Sequence, residues 1–122
     1  MTERPSGGII TGAAGGIGKA LTLALAGAGV HLVATDLDKG GLDALVREAD
    51  GLPGTVIGMA GDVRDRDLPQ ALRDRALAAF GGVGLLVNCS GFLKDSRIQK
   101  MPVDLFRQLV DINLIGPLRL IE

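Results

Sequence analysis

Thr11-Gly12-Ala13-Ala14-Gly15-Gly16-Ile17-Gly18 is the stretch on which the reading of this chain turns. It joins two unlike segments. Before it, Gly8-Ile9-Ile10-Thr11 is a short apolar run that predicts a strand. After it, Ile17, Ala20, Leu21, Ala24, Leu25 and Ala28 recur at helical spacing, with Gly29 as the stop. Gly12 lets the chain turn tightly. The missing side chains of Gly16 and Gly18 let backbone approach a ligand and let the helix pack closely on the strand. The freed N–H groups and the helix N-terminus then face outward, which suits a pyrophosphate. A glycine-rich connection without a ligand is the alternative. The flanking strand and helix, and an acidic residue at the right distance, argue against it.

That acidic residue is Asp36, which closes a second strand over Val30 to Thr35 and stands 18 positions after Gly18. A carboxylate there accepts hydrogen bonds from both hydroxyls of an adenosine ribose and repels a 2′-phosphate. No Arg or Lys stands in Thr35-Asp36-Leu37 or inside the glycine turn, so the expected cofactor is NAD rather than NADP. The plainer alternative is a turn or cap aspartate. Asp38 is placed to cap a second helix with Leu42, Leu45, Val46 and Ala49 on its apolar face, ended by Gly51 and Pro53. Thr55 to Ala60 reads as a third strand. Asp62 and Val63 follow it at the same sheet edge, where the Asp62 carboxylate could accept the adenine amino proton and the Val63 N–H could meet a ring nitrogen. A helix-entry aspartate is an equal alternative for Asp62.

Asp67 is expected to cap a third helix, with Leu68, Leu72, Ala76 and Phe80 at four-residue spacing and Gly81-Gly82 behind. Leu85-Leu86-Val87 is a fourth, continuously apolar strand. It runs into Asn88-Cys89-Ser90-Gly91, where Asn88 is expected to tie the strand end to neighbouring backbone. A loop over Phe92 to Met101 leads to a last helix from about Val103 onward. Four strand–helix units in series predict an α/β fold with a mainly parallel sheet and helices on both faces.

Composition narrows the function classes. The chain has 122 residues, 13 Lys plus Arg against 14 Asp plus Glu, and a net charge of −1. That balance lacks the basic footprint of a nucleic-acid binder. One Cys excludes an intrachain disulfide and suits a reducing, cytoplasmic setting. Cys89 reads as a packing residue rather than a nucleophile, and His31, at the start of strand two, as a surface or half-buried side chain. The apolar stretch from Ile17 to Ala34 is broken by Lys19, Thr22 and His31, so neither a signal peptide nor a membrane span is expected. The sequence holds 3 Phe but no Trp and no Tyr. Chemistry that needs a phenol therefore lies outside these residues.

The glycine turn, Asp36, Asp62-Val63, Asn88-Cys89-Ser90-Gly91 and Asn113-Leu114-Ile115-Gly116 together resemble the short-chain dehydrogenase/reductase family, in its compact single-domain branch. Gly12, Gly15 and Gly18 also fit the extended branch, but the strand-four and Asn113 segments favour the compact one. The resemblance implies a Rossmann-type doubly wound parallel sheet, of which residues 1–122 supply four βα units as an NAD-binding half-domain. It implies hydride transfer between a nicotinamide and an alcohol or carbonyl. Implied cofactor-binding residues are Gly12, Ala14, Gly15, Gly16, Ile17, Gly18, Asp36, Leu37, Asp62, Val63, Asn88, Ser90 and Gly91, and Asn113 matches the active-site Asn.

In the family the Asn113 carbonyl holds a water in a proton relay. Pro117, four residues on, has no N–H to give it. The family usually has Asn-Asn-Ala-Gly where this chain has Asn88-Cys89-Ser90-Gly91. The stretch Gly91 to Ser96 is similar to ketoacyl-carrier-protein reductases. The family's Tyr, Lys and Ser come from later strands and helices. The chain by itself is therefore expected to be inactive, as a truncated half. A non-catalytic NAD-binding module and a remnant are the alternatives. The helix from Val103 onward is apolar all round, which predicts a homo-oligomer.

Overall fold

The computed structural model describes residues 7–90, together with Asp104, Arg107, Leu120 and Ile121. Seven elements alternate along the chain: β1 (Gly7–Thr11), α1 (Gly16–Gly27), β2 (His31–Asp36), α2 (Lys39–Glu48), β3 (Val56–Ala60), α3 (Leu68–Phe80) and β4 (Leu85–Asn88). The four strands form one sheet in the order β3-β2-β1-β4. All three pairings are parallel, with Ile9 opposite Val33 and Leu86, and Val33 opposite Ile57. This is the Rossmann-type arrangement expected of the sequence.

Side chains alternate across the strands, so each strand feeds two cores. Ile10, Leu32 and Ala34 pack with Ala26 of α1 and Leu42 and Leu45 of α2 on one face. Ile9 and Val33 pack with Leu68, Leu72 and Ala76 of α3 on the other. Chain direction explains the split. The strand order moves outward from β1 to β3 and then jumps back to β4, and right-handed crossovers reverse the helix face at that jump.

The helix ends follow local chemistry. Gly29 (φ +91°), Gly51 (φ +83°) and Gly81 (φ +80°) take the left-handed conformation after α1, α2 and α3. Asp38 caps α2 as expected, accepting the Gly41 N–H at 3.0 Å. Asp67 departs from expectation. It occupies the N-cap position of α3 but makes no side-chain cap bond. Its own N–H instead donates to Asp65 Oδ1 at 2.9 Å. Its backbone is helical, and Pro69 in the first turn removes one donor a cap would take.

His31 is half-buried, accepts the Thr55 N–H on Nδ1 at 2.9 Å and stacks on Phe80 at 5.3 Å. It lies at the start of β2, the edge remote from the glycine turn, as expected. Asp104, Arg107, Leu120 and Ile121 are helical, and Leu120 packs on the α3 face of the sheet. The other apolar residues expected on that last helix lie outside the described residues.

Candidate functional site

Parallel strands put all their C-terminal ends at one edge. Thr11 there faces Thr35 and Asn88, and Asp36 faces Ala60. The crevice opens beside β1, where the strand order reverses, the usual ligand position in such sheets. A cleft of about 360 Å³ lies there, lined by the glycine turn, the end of β2 and the residues just after β3 and β4.

The turn is built by close packing. Gly12 has φ +64°, and a Cβ on it would stand 2.5 Å from the Cys89 carbonyl. A Cβ on Gly18 would fall on the Gly12 carbonyl oxygen, so α1 sits directly against the turn. Gly16 differs: a Cβ there would meet nothing within 4 Å. Ile17 is 75% exposed at the same helix start. The N-cap of α1 is Gly15, which offers no side-chain acceptor, and the first turn has no acidic residue. First-turn N–H groups have no acceptor within a helix, so this end is open to an anion.

Asp36 is fixed by two backbone donors. The Ala14 N–H donates to Oδ2 and the Asp38 N–H to Oδ1, both at 2.9 Å. A carboxylate offers about four acceptor positions, so roughly two remain for a ligand. Leu37, 63% exposed, lies next to it on the cleft wall.

The cleft brings together Gly12, Ala14, Gly15, Asp36, Leu37, Val63 and Ser90 of the expected residues. Gly16, Ile17, Gly18, Asp62 and Asn88 do not line it. Asp62 is committed elsewhere. Arg64 reaches back across the turn and donates Nε and Nη2 to its two oxygens at 3.0 and 2.6 Å. The Arg64 side chain beside Asp62 holds the carboxyl below its ordinary 3.8, against the opposing effect of partial burial.

Asn88 also differs from expectation. It accepts from the Thr11 hydroxyl at 3.3 Å rather than binding neighbouring backbone, and that hydroxyl in turn accepts the Ser90 N–H at 3.3 Å. Thr11 therefore does the tying, because its side chain faces Asn88 across the β1–β4 pair. Cys89 packs against the core, as expected. Gly91 and Asn113 lie outside the described residues.

Four cleft residues were not anticipated: Thr35, Asp38, Gly61 and Cys89. Gly61 and Cys89 immediately follow β3 and β4, so parallel topology alone could have indicated them. The Thr35 hydroxyl is buried beside the cleft without a hydrogen-bond partner among the described residues. Among the described residues no group of three acidic, His or Cys side chains could hold a metal ion. No helix there is long and apolar enough to cross a membrane.

Residues 8–122 match the model of the short chain dehydrogenase family. The chain belongs to that family. It is similar to the 3-oxoacyl-(acyl-carrier-protein) reductase FabG of Thermotoga maritima, at 39% identity over 108 residues that span 88% of this chain and 44% of that one. A short-chain dehydrogenase/reductase structure from Brucella melitensis superposes with TM-score 0.89 at 31% identity, over 94% of this chain and 46% of the other. An actinorhodin polyketide ketoreductase solved with NADPH gives 0.87 at 26%, over 94% of this chain and 44% of the other. The chain thus spans less than half the length of these relatives. Enzymes of this short chain dehydrogenase family are oxidoreductases that use a nicotinamide cofactor.

Proposed function

We propose that residues 7–90 form the adenosine and pyrophosphate half of an NAD site in an oxidoreductase that moves hydride between nicotinamide and an alcohol or carbonyl carbon. One observation carries the choice of NAD. The Asp36 carboxylate sits at the cleft, held by two backbone N–H groups. No basic residue occurs in Thr35-Asp36-Leu37 or the glycine turn. Ribose hydroxyls would donate to the remaining acceptor positions, and a 2′-phosphate would be repelled.

The residues fit the group by shape and by chemistry. The open N-terminus of α1 and the bare surface at Gly16 suit a pyrophosphate. The cleft volume, about 360 Å³, falls within the roughly 300–1,000 Å³ of small-molecule sites. The unpartnered Thr35 hydroxyl beside it is a further polar group that a ligand could satisfy. Leu37 and Val63 offer apolar walls for an adenine ring. Asp62 would reach such a ring only through the acceptor positions Arg64 leaves.

When bound, a nicotinamide cofactor supplies the hydride acceptor or donor. The described residues hold and orient its nucleotide end. Gly91 would allow approach beside the nicotinamide ribose, and the Asn113 carbonyl would hold a water for proton transfer. The sequence has no Tyr, so none of these 122 residues can supply a phenol as proton donor for a carbonyl reduction. That fact favours a second reading, NAD binding without chemistry by this chain alone.

Titration of the full chain with NADH, followed by fluorescence, tests the cofactor. Saturable binding is expected, with Asp36→Ala weakening it about ten-fold or more, on the scale of a lost charged hydrogen bond. Equal affinity in Asp36→Ala sinks the ribose assignment. NADH oxidation with a panel of ketones separates enzyme from binding module.

A further inference from the structure

We infer that Arg64 is a positioning residue that keeps the nucleotide base from being read: it holds the Asp62 carboxylate on itself, so the site takes a purine with or without a 6-amino group. The inference rests on the NAD reading above and deepens it at the base end of the cofactor.

The turn after β3 runs Gly61-Asp62-Val63-Arg64. Gly61 and Val63 line the cleft, and Asp62 between them does not. Asp62 carries the one carboxylate of this turn segment that could accept from an amino group, and Arg64 occupies it. The Arg64 backbone N–H donates to Oδ1 at 2.9 Å. Its Nε–H is shared between Oδ1 and Oδ2, at 3.0 Å each. Its Nη2 donates to Oδ2 at 2.6 Å. A carboxylate has about four acceptor positions. Each Asp62 oxygen thus already receives two hydrogen bonds, and a base amino group meets a filled acceptor.

Asp36 makes the contrast. It receives one backbone N–H on each oxygen, which leaves room for a ribose. The two aspartates follow neighbouring strands at the same sheet edge, yet only Asp36 has acceptor positions to offer.

Exchange of partners at Asp62 is unfavourable. A guanidinium donates charge-assisted hydrogen bonds, which are stronger than those of a neutral amino group. The Arg64 side-chain hydrogen bonds also hold the carboxyl below its ordinary 3.8, so at neutral pH it stays the charged partner of that guanidinium. The cleft walls at Leu37 and Val63 are apolar side chains. They can pack on the face of a base but give no donor or acceptor that would recognise its amino group.

The probe is reduced nicotinamide purine dinucleotide, which carries hydrogen where NADH has the adenine amino group and keeps every ring nitrogen. Its affinity and that of NADH are compared by fluorescence titration of the full chain. The wild type should bind the two equally. Arg64→Ala should bind NADH about ten-fold better than the analogue, the scale of a hydrogen bond to a charged group. Arg64→Lys, which keeps the charge but loses the planar fork, should gain a smaller preference. Adding Asp62→Ala to Arg64→Ala should abolish the preference. A general loosening of the fold would weaken both ligands together and leave their ratio unmoved.

A wild type that favours NADH over the analogue overturns the inference, because Asp62 then reads the amino group despite Arg64. An Arg64→Ala protein without a preference overturns it too, because the released carboxylate then fails to reach the base, and the NAD reading survives either result. A wild type that binds neither dinucleotide brings down the cofactor reading, and this inference with it.

Discussion

Gly16 and Gly18 stand two residues apart and invite opposite experiments. A methyl group at Gly16 meets no protein atom, whereas at Gly18 it meets the Gly12 carbonyl. Gly16→Ala should therefore leave the melting temperature unchanged or raise it, since Ala favours a helix by about 1 kcal/mol over Gly. It should weaken NADH binding by crowding the pyrophosphate. Gly18→Ala should destabilise the fold by about 1–3 kcal/mol, the scale of an overpacked core site. Urea unfolding and NADH titration on both variants separate the two roles, and a Gly16→Ala protein that binds normally counts against a pyrophosphate there.

The tight turn at Gly12, the close helix packing at Gly18 and the Asp38 cap were legible in the sequence because each depends on a local pattern. Asp62 was not. Its partner Arg64 is two residues away, and only the turn after β3 folds the guanidinium back onto it.

At the scale of elements, the Asp62–Arg64 turn joins β3 to α3 and gives the fold an acid-sensitive joint. The folded carboxyl titrates below its ordinary 3.8, with the Arg64 hydrogen bonds as the main cause. Its contribution is present above that ordinary value and is lost as pH falls through the lower folded value. The pair is partly exposed, so Arg64→Ala should cost under about 1 kcal/mol at neutral pH. The cost should shrink in urea melts as the pH falls below 3.8 and vanish below the lowered folded value.

Deeper in the same layer, Leu72 is fully buried between α3 and the sheet, and Leu72→Ala should cost about 2–5 kcal/mol. The helices themselves were readable from periodicity. Leu68, Leu72 and Ala76 fall on one buried face, as their four-residue spacing implied. The failed Asp67 cap was not readable, since Pro69 and a helical Asp67 backbone decide it together.

For the molecule as a whole, the cofactor is expected to act as a clamp. It would touch the turn after β1, the end of β2 and the segments after β3 and β4, all at one sheet edge. Binding to the folded state alone raises stability by about 2.7 kcal/mol at one hundred times Kd. A melting temperature that rises with NADH concentration is the expected readout, and its absence in a protein that binds NADH would mean the unfolded chain binds as well. The topology was legible because glycine-bounded strands alternated with helices. The composition of the cleft was less so, because Thr35 reaches it from a strand whose apolar pattern marks only the core.

The bond from the Ser90 N–H to the Thr11 hydroxyl spans 79 positions in sequence. The glycine turn and its helix can form early, from neighbours in the chain. Their opposite wall is Cys89 and Ser90, delivered only when β4 docks beside β1. Closing so long a loop is slow compared with forming local turns. During synthesis, then, the nucleotide would find this berth only after the ribosome has released the fourth strand, so the cradle waits on the latest of the four described strands.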